Sequence, residues 1–169
     1  GFTLGIEIKQ QINSLPEDMY IKSVLSKSSK AYDLSVTADA LRLSYYYKEA
    51  IEKYLQSIFI DKNNTDTWFG LGLCYKFLNK PNKAIKAFEK AKSINPKIID
   101  ILYELGVCYL ASNEICSAVH TFIELLKIDK DNLKAQLQLG MCHEFSEDFD
   151  MALMIYQKVL DLVIILQKF

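Results

Sequence analysis

A chain of 169 residues, half of them hydrophobic and about a quarter charged, has the make-up of a soluble globular protein and is too apolar to stay disordered. Its formal charge of −1 leaves no basic surplus to meet a phosphate backbone, which argues against nucleic acid as a partner. Four cysteines in this length do not make a secreted disulfide framework; they read as reduced, buried thiols of a cytoplasmic protein.

No apolar run reaches the roughly 18 residues that a membrane span requires. The longest candidate, Leu160 to Leu166, is short and is interrupted by Asp161. A first residue of Gly1 rather than methionine leads to the expectation of a piece of a longer chain, with any native targeting segment out of view.

In chain order, residues 1–30 fit no repeating frame. Leu15-Pro16-Glu17-Asp18 has the form of a helix start, with proline in the first turn and acids near the positive helix end. A short capping helix over about 16–27 is expected there, preceded by a loosely ordered tail. From residue 31 onward the chain repeats itself. Leu71-Gly72-Leu73-Cys74-Tyr75, Leu105-Gly106-Val107-Cys108-Tyr109 and Leu139-Gly140-Met141-Cys142-His143 are versions of one phrase, spaced by 34 residues. Ala84, Ala118 and Ala152 keep that step of 34, as do Phe88, Phe122 and Tyr156.

Each period reads as helix, turn, helix. In 65–98, Trp68, Leu71, Gly72 and Tyr75 recur at helical spacing to form one apolar stripe. Asn79-Lys80-Pro81-Asn82 breaks that helix, and Pro81 is placed to open the next. Ala84, Phe88 and Ala91 form the second stripe, which Asn95-Pro96 ends. Gly72 and Ala84 are small because two helices approach closely there, with Trp68 and Phe88 filling the space beside them. A hairpin of this kind cannot bury its own apolar faces, so it needs neighbours. The expected fold is therefore all-α, a solenoid of stacked antiparallel helical hairpins. Its periods run over 31–64, 65–98, 99–132 and 133–169.

These residues resemble the tetratricopeptide signature: Trp68, Leu71, Gly72, Tyr75, Ala84, Phe88, Ala91 and Pro96 occupy all eight of its usual positions. The period 99–132 keeps Leu105, Gly106, Tyr109, Ala118 and Phe122, with Lys130 in place of the proline. The period 133–166 keeps Leu139, Gly140, Ala152 and Tyr156, with His143 for the tyrosine. The period 31–64 is degenerate: Leu34, Ala38, Leu41, Ala50 and Tyr54 fit, whereas Thr37 and Ser57 depart. The resemblance implies a right-handed superhelix. At its far end the polar series Asp61, Asn95, Asp129 continues as Val163, so the last helix is expected to run on without a cap. That apolar finish predicts either a chain that continues beyond Phe169 or a surface for self-association; the first is the favoured expectation.

Chemistry-bearing constellations are absent. Cys74, Cys108 and Cys142 invite a metal reading, yet each sits at the same place on a successive helix, about 8–10 Å from its neighbours. A disulfide or a zinc centre demands far closer approach. They are expected to be packing residues, and Cys116 is placed in a turn region with nothing to mark it as a nucleophile. His143 is a packed substitute for tyrosine, and His120 is a half-exposed helix residue. Asp129-Lys130-Asp131-Asn132 lacks both the glycine and the bidentate glutamate of a calcium loop. Neither a phosphate-binding loop nor a nucleophile elbow appears, so we expect no cofactor, no metal and no catalysis.

The resemblance implies a concave groove lined by positions 2, 5, 9 and 12 of each repeat. In this chain these are Asp66, Phe69, Leu73 and Lys76, then Asp100, Tyr103, Val107 and Leu110, then Lys134, Leu137, Met141 and Glu144. The degenerate period contributes Tyr32, Ser35, Asp39 and Arg42. A groove with an apolar middle predicts a protein or peptide ligand, with Asp66 and Asp100 offered to its lysines or arginines. The Lys and Asn that similar domains use to clamp acidic chaperone tails are missing: those places hold Ser35 with Asp39, or Phe69 with Leu73. The expected function is an adaptor, scaffold or chaperone-like binding module. The alternative is the recognition arm of a larger enzyme or assembly.

Overall fold

The computed structural model describes residues 17–166. Eight helices follow one another: α1 (Glu17–Leu43), α2 (Tyr47–Ile60), α3 (Thr65–Phe77), α4 (Pro81–Ile94), α5 (Ile99–Ala111), α6 (Ile115–Ile128), α7 (Leu133–Phe145) and α8 (Phe149–Leu166). They pair as four hairpins, α1–α2, α3–α4, α5–α6 and α7–α8, and each hairpin packs on the next. The first helices α1, α3, α5 and α7 also approach their neighbours in the series closely, whereas the backbones of the second helices stand farther apart, α4 and α6 being bridged by the Lys92–Glu124 ion pair. In a curved stack the layer that stays in contact is the inner one, so the first helices form the concave side.

The joints within hairpins share one device. The residue two past each first helix, Tyr45, Asn79, Asn113 or Glu147, adopts a left-handed conformation with φ near 60°. The next amide reaches back five residues, as Lys80 N–H does to the Tyr75 carbonyl at 2.9 Å, which satisfies the end of the helix. Asparagine tolerates this geometry, while Tyr45 and Glu147 hold it at a steric cost. Pro81 opens α4, where no internal amide partner is lost. Between hairpins, Asn64 and Asn132 cap α3 and α7 by accepting from the Thr67 and Ala135 amides at 3.0 Å.

The core is a chain of clusters that straddle the hairpin boundaries. Ala84, Ile85, Phe88 and Ala91 of one hairpin pack with Ile101, Leu105 and Cys108 of the next. Leu102, Ala118, Phe122 and Leu125 pack with Ala135 and Cys142 in the same way. The glycines explain how the helices come so close: a Cβ on Gly72 would stand 2.5 Å from the Phe88 ring, and one on Gly106 would stand 2.6 Å from Phe122.

Two differences from the sequence expectation have simple causes. The short capping helix expected over about 16–27 is not a separate element, because α1 runs unbroken from Glu17 to Leu43. No proline or glycine lies within that stretch to stop it. The expected loose tail lies outside the described residues. Cys116, placed in a turn by sequence, sits in the first turn of α6 instead and is exposed. At the other end α8 continues to Leu166, whereas α2, α4 and α6 stop at Ile60, Ile94 and Ile128.

The degeneracy of the first period has a structural reason. Asp33, Thr37 and Ala40 stand where later first helices carry Thr67, Leu71 and Cys74, which face the preceding hairpin. With no preceding hairpin among the described residues, all of these first-period residues are exposed. Ser57, the other departure, is buried, and its hydroxyl donates to the Ala31 carbonyl at 2.7 Å.

Candidate functional site

The residues expected to line the groove all lie on α3, α5 and α7, and they divide by exposure. Asp66, Asp100 and Lys134 are exposed, as is Glu144. Phe69, Leu73, Lys76, Tyr103, Val107 and Leu110 are half-buried, while Leu137 and Met141 keep 43% and 38% of their surface open. Two of the aromatics serve the core as well as the surface. Phe69 leans on Phe88 with ring centres 5.6 Å apart, and Tyr103 meets Phe122 edge-on at 6.2 Å. An apolar strip of medium depth therefore runs along the inner layer, deepest at α3 and α5 and most open at α7.

Two cations of this face, Arg42 and Lys76, are neutralised from within. Lys76 Nζ meets Glu104 of the next first helix at 2.6 Å. Arg42 pairs with Asp39 at 3.1 Å, and its Nε donates to the Tyr54 hydroxyl at the same distance. The Tyr54 hydroxyl in turn donates to Asp39 at 2.6 Å. Burial, and then the bond to Asp39, hold the Tyr54 hydroxyl well above the usual phenol range, so it stays protonated. Asp66, Asp100 and Lys134 have no ionic partner among the described residues. The groove's unpaired charge is thus acidic over α3 and α5, while at α7 Lys134 and Glu144 offset each other.

Neither Tyr54 nor Glu104 was anticipated from sequence as part of this face. Gly70 was the available signal: no other period has glycine there, and a Cβ at Gly70 would collide with the Tyr54 ring. Glu104 occupies the equivalent position one period later. Of the degenerate period, Tyr32 is exposed, but Ser35 is buried and its hydroxyl donates to the Tyr32 carbonyl at 2.8 Å.

A second hollow opens on the outer layer, where the backbones of α4 and α6 stand apart. It measures about 720 Å³, with Leu105 and Tyr109 beneath it and Cys116 and His120 on its α6 side. Tyr109 donates to Glu89 there at 2.8 Å, and Lys92 meets Glu124 at 2.5 Å. Among the described residues, no three His, Cys, Asp or Glu side chains gather closely enough to share a metal ion. No helix among them is long and apolar enough to cross a membrane.

The repeated cysteines are packing residues. Burial pushes the thiols of Cys74, Cys108 and Cys142 up to about 11. An unfolded thiol ionises near pH 8.5, so the stability these groups contribute is complete below about that pH and is lost as pH rises towards 11. At pH 8, Ellman's reagent is expected to titrate one thiol quickly, the exposed Cys116, and the other three only after unfolding. Rapid reaction of more than one would contradict the buried placement.

The fold and the repeated residues are those of a tetratricopeptide-repeat superhelix. Family models described as tetratricopeptide repeat match residues 65–98 and 133–162. The solved structure of MamA superposes with a TM-score of 0.79 at 20% identity, covering 89% of this chain and 88% of that one. YrrB, described as a tetratricopeptide protein with an unusual peptide-binding site, superposes at 0.74 and 20% identity, over 95% of this chain and 81% of that one. The first such domain of Spaghetti (RPAP3), solved with the HSP90 peptide SRMEEVD, gives 0.68 at 20% identity, over 71% of this chain and 95% of that one. At such identities these likenesses speak for the fold. By sequence, 50 residues are 40% identical to human protein O-mannosyl-transferase TMTC3, a match that spans 29% of this chain and 6% of that protein.

Proposed function

We propose that this chain is a protein–protein interaction module that holds a segment of a partner along the inner layer of first helices. The observation that carries this reading is the half-open apolar strip from Phe69 and Leu73 through Tyr103 and Val107 to Leu137 and Met141. Contiguous apolar surface of this kind on a soluble fold favours a ligand. The ligand this strip suits is a peptide with spaced apolar side chains and a lysine or arginine near Asp66 and Asp100. An acidic tail suits it less, because Arg42 and Lys76 already hold carboxylates of their own. The role is binding, with no catalytic step assigned. The match to a far longer relative supports a second reading, in which such an array is one arm of a larger protein.

The test is panning of a displayed random-peptide library against the chain, followed by titration of the selected peptides. Leu137→Glu with Met141→Glu is the informative variant, since both side chains are open enough to change without breaking the core. Tyr103 is a poorer choice because its ring supports Phe122. Selected peptides are expected to carry basic and apolar residues and to lose at least about tenfold in affinity with the variant. Peptides that bind parent and variant equally, with circular dichroism unchanged, would remove the function from this face.

A further inference from the structure

The two ends of the stack are built differently. The outer side of the first hairpin shows Asp33, Thr37 and Ala40 to solvent, a polar finish suited to water. The last hairpin does not finish in this way. Its Ala152, Leu153, Tyr156 and Val159 repeat the positions of Ala84, Ile85, Phe88 and Ala91, which receive the next first helix through Ile101, Leu105 and Cys108. Ile85 is 7% exposed under that helix, whereas Leu153 is 68% exposed. Leu160 and Ile164 extend the open face along α8. This surface has the form of a seat for one more first helix.

The helix that fits such a seat has a recognisable pattern. Ile101, Leu105 and Cys108 place an apolar residue at the start, leucine four later and a small residue seven later. The same spacing occurs outside the repeats at Ile21, Leu25 and Ser28. At 100° per residue, Ile21, Leu25 and Ser28 share one helix face. They lie in the part of α1 that projects beyond its own hairpin. The end of α2, at Phe59 and Ile60, reaches only the level of Lys30. Every residue from Ile21 to Lys30 is exposed, Ile21 by 52% and Leu25 by 62%. A projecting helix of this length is marginal in water without something to pack on.

We propose that residues 19–30 of one copy dock as an additional first helix on α8 of the next, joining molecules head to tail. A second copy is the occupant that satisfies both unpartnered faces at once, because it brings the helix pattern and the seat together. A symmetrical contact of α8 with α8 would leave Ile21 and Leu25 uncovered. Because the two surfaces differ, the contact is heterologous and propagates into chains or closes into a ring.

Sedimentation velocity of the 169-residue chain over a concentration series tests this. The parent is expected to form species larger than a dimer as concentration rises. Leu25→Glu and Leu153→Glu are each expected to be monomeric, with unchanged circular dichroism because both side chains are exposed. Mixed in equal amounts, the two variants are expected to form a dimer and stop there, since each keeps one intact surface. A parent that stays monomeric throughout would overturn the proposal. So would a Leu25→Glu variant that still self-associates like the parent, or a mixture that stays monomeric.

Discussion

Phe122→Ala is expected to cost about 3–5 kcal/mol of unfolding free energy, the range for emptying a fully buried aromatic position. The side chain has no exposed surface. It stands between its own hairpin partners Leu102 and Ala118 and the next hairpin's Ala135 and Cys142. Removing it both leaves a cavity and loosens the joint between the third and fourth hairpins. Small domains have only about 5–15 kcal/mol in total, so the loss is a large fraction of the whole. In a repeat array stability is nearly a sum over units and their interfaces. The damage is therefore expected to be local, with α7 and α8 losing amide protection before α3 and α4. Urea unfolding and hydrogen exchange read the two parts separately. A loss under about 1 kcal/mol would show that the site collapses around the gap.

Gly106→Ala is the second, and its sign separates two arguments. Helix propensity alone favours alanine over glycine by about 1 kcal/mol. Packing opposes it, because a Cβ at Gly106 would meet the Phe122 ring at 2.6 Å, and that buried ring has nowhere to retreat. Overpacking of this kind costs about 1–3 kcal/mol, so net destabilisation is expected. The penalty is expected to shrink when Phe122→Leu makes room, which a double-mutant cycle measures as coupling. Gly140→Ala provides the contrast. It presses on Tyr156, which is only partly buried and can swing outward, so its cost is expected to be smaller. Equal costs at the two glycines would mean that the aromatic partner does not set the penalty.

Much of the fold was legible because the same contact is made again and again. Gly72, Gly106 and Gly140 each lie under the aromatic ring sixteen residues later, at Phe88, Phe122 and Tyr156. A requirement that recurs every 34 residues leaves a period that no single contact could reveal. The groove residues were legible only as places on helices. Their positions follow from the same period, but their availability does not, since Phe69 and Tyr103 are shared with the core and Lys76 is held by Glu104. The Tyr54–Asp39–Arg42 cluster joins residues 12 and 15 apart on different helices. It had left only one sign in the chain, the extra glycine at Gly70.

The ends show where sequence reasoning stops. Thr37 read as a lapse from the pattern, and the packing makes it a residue that faces water because no earlier hairpin among the described residues covers it. Nothing in the string of residues 17–43 marks where the projecting half of α1 gives way to the packed half, since helix propensity is continuous across Lys30. That division is set by the length of α2, the element packed alongside. The sequence alone thus determined the class of fold and the recurring small and aromatic contacts of the repeats, both of which follow from local periodicity. Which charges are already paired, which apolar groups remain open and how the two ends differ were decided by tertiary structure. Those properties depend on neighbours that come together only when the hairpins stack.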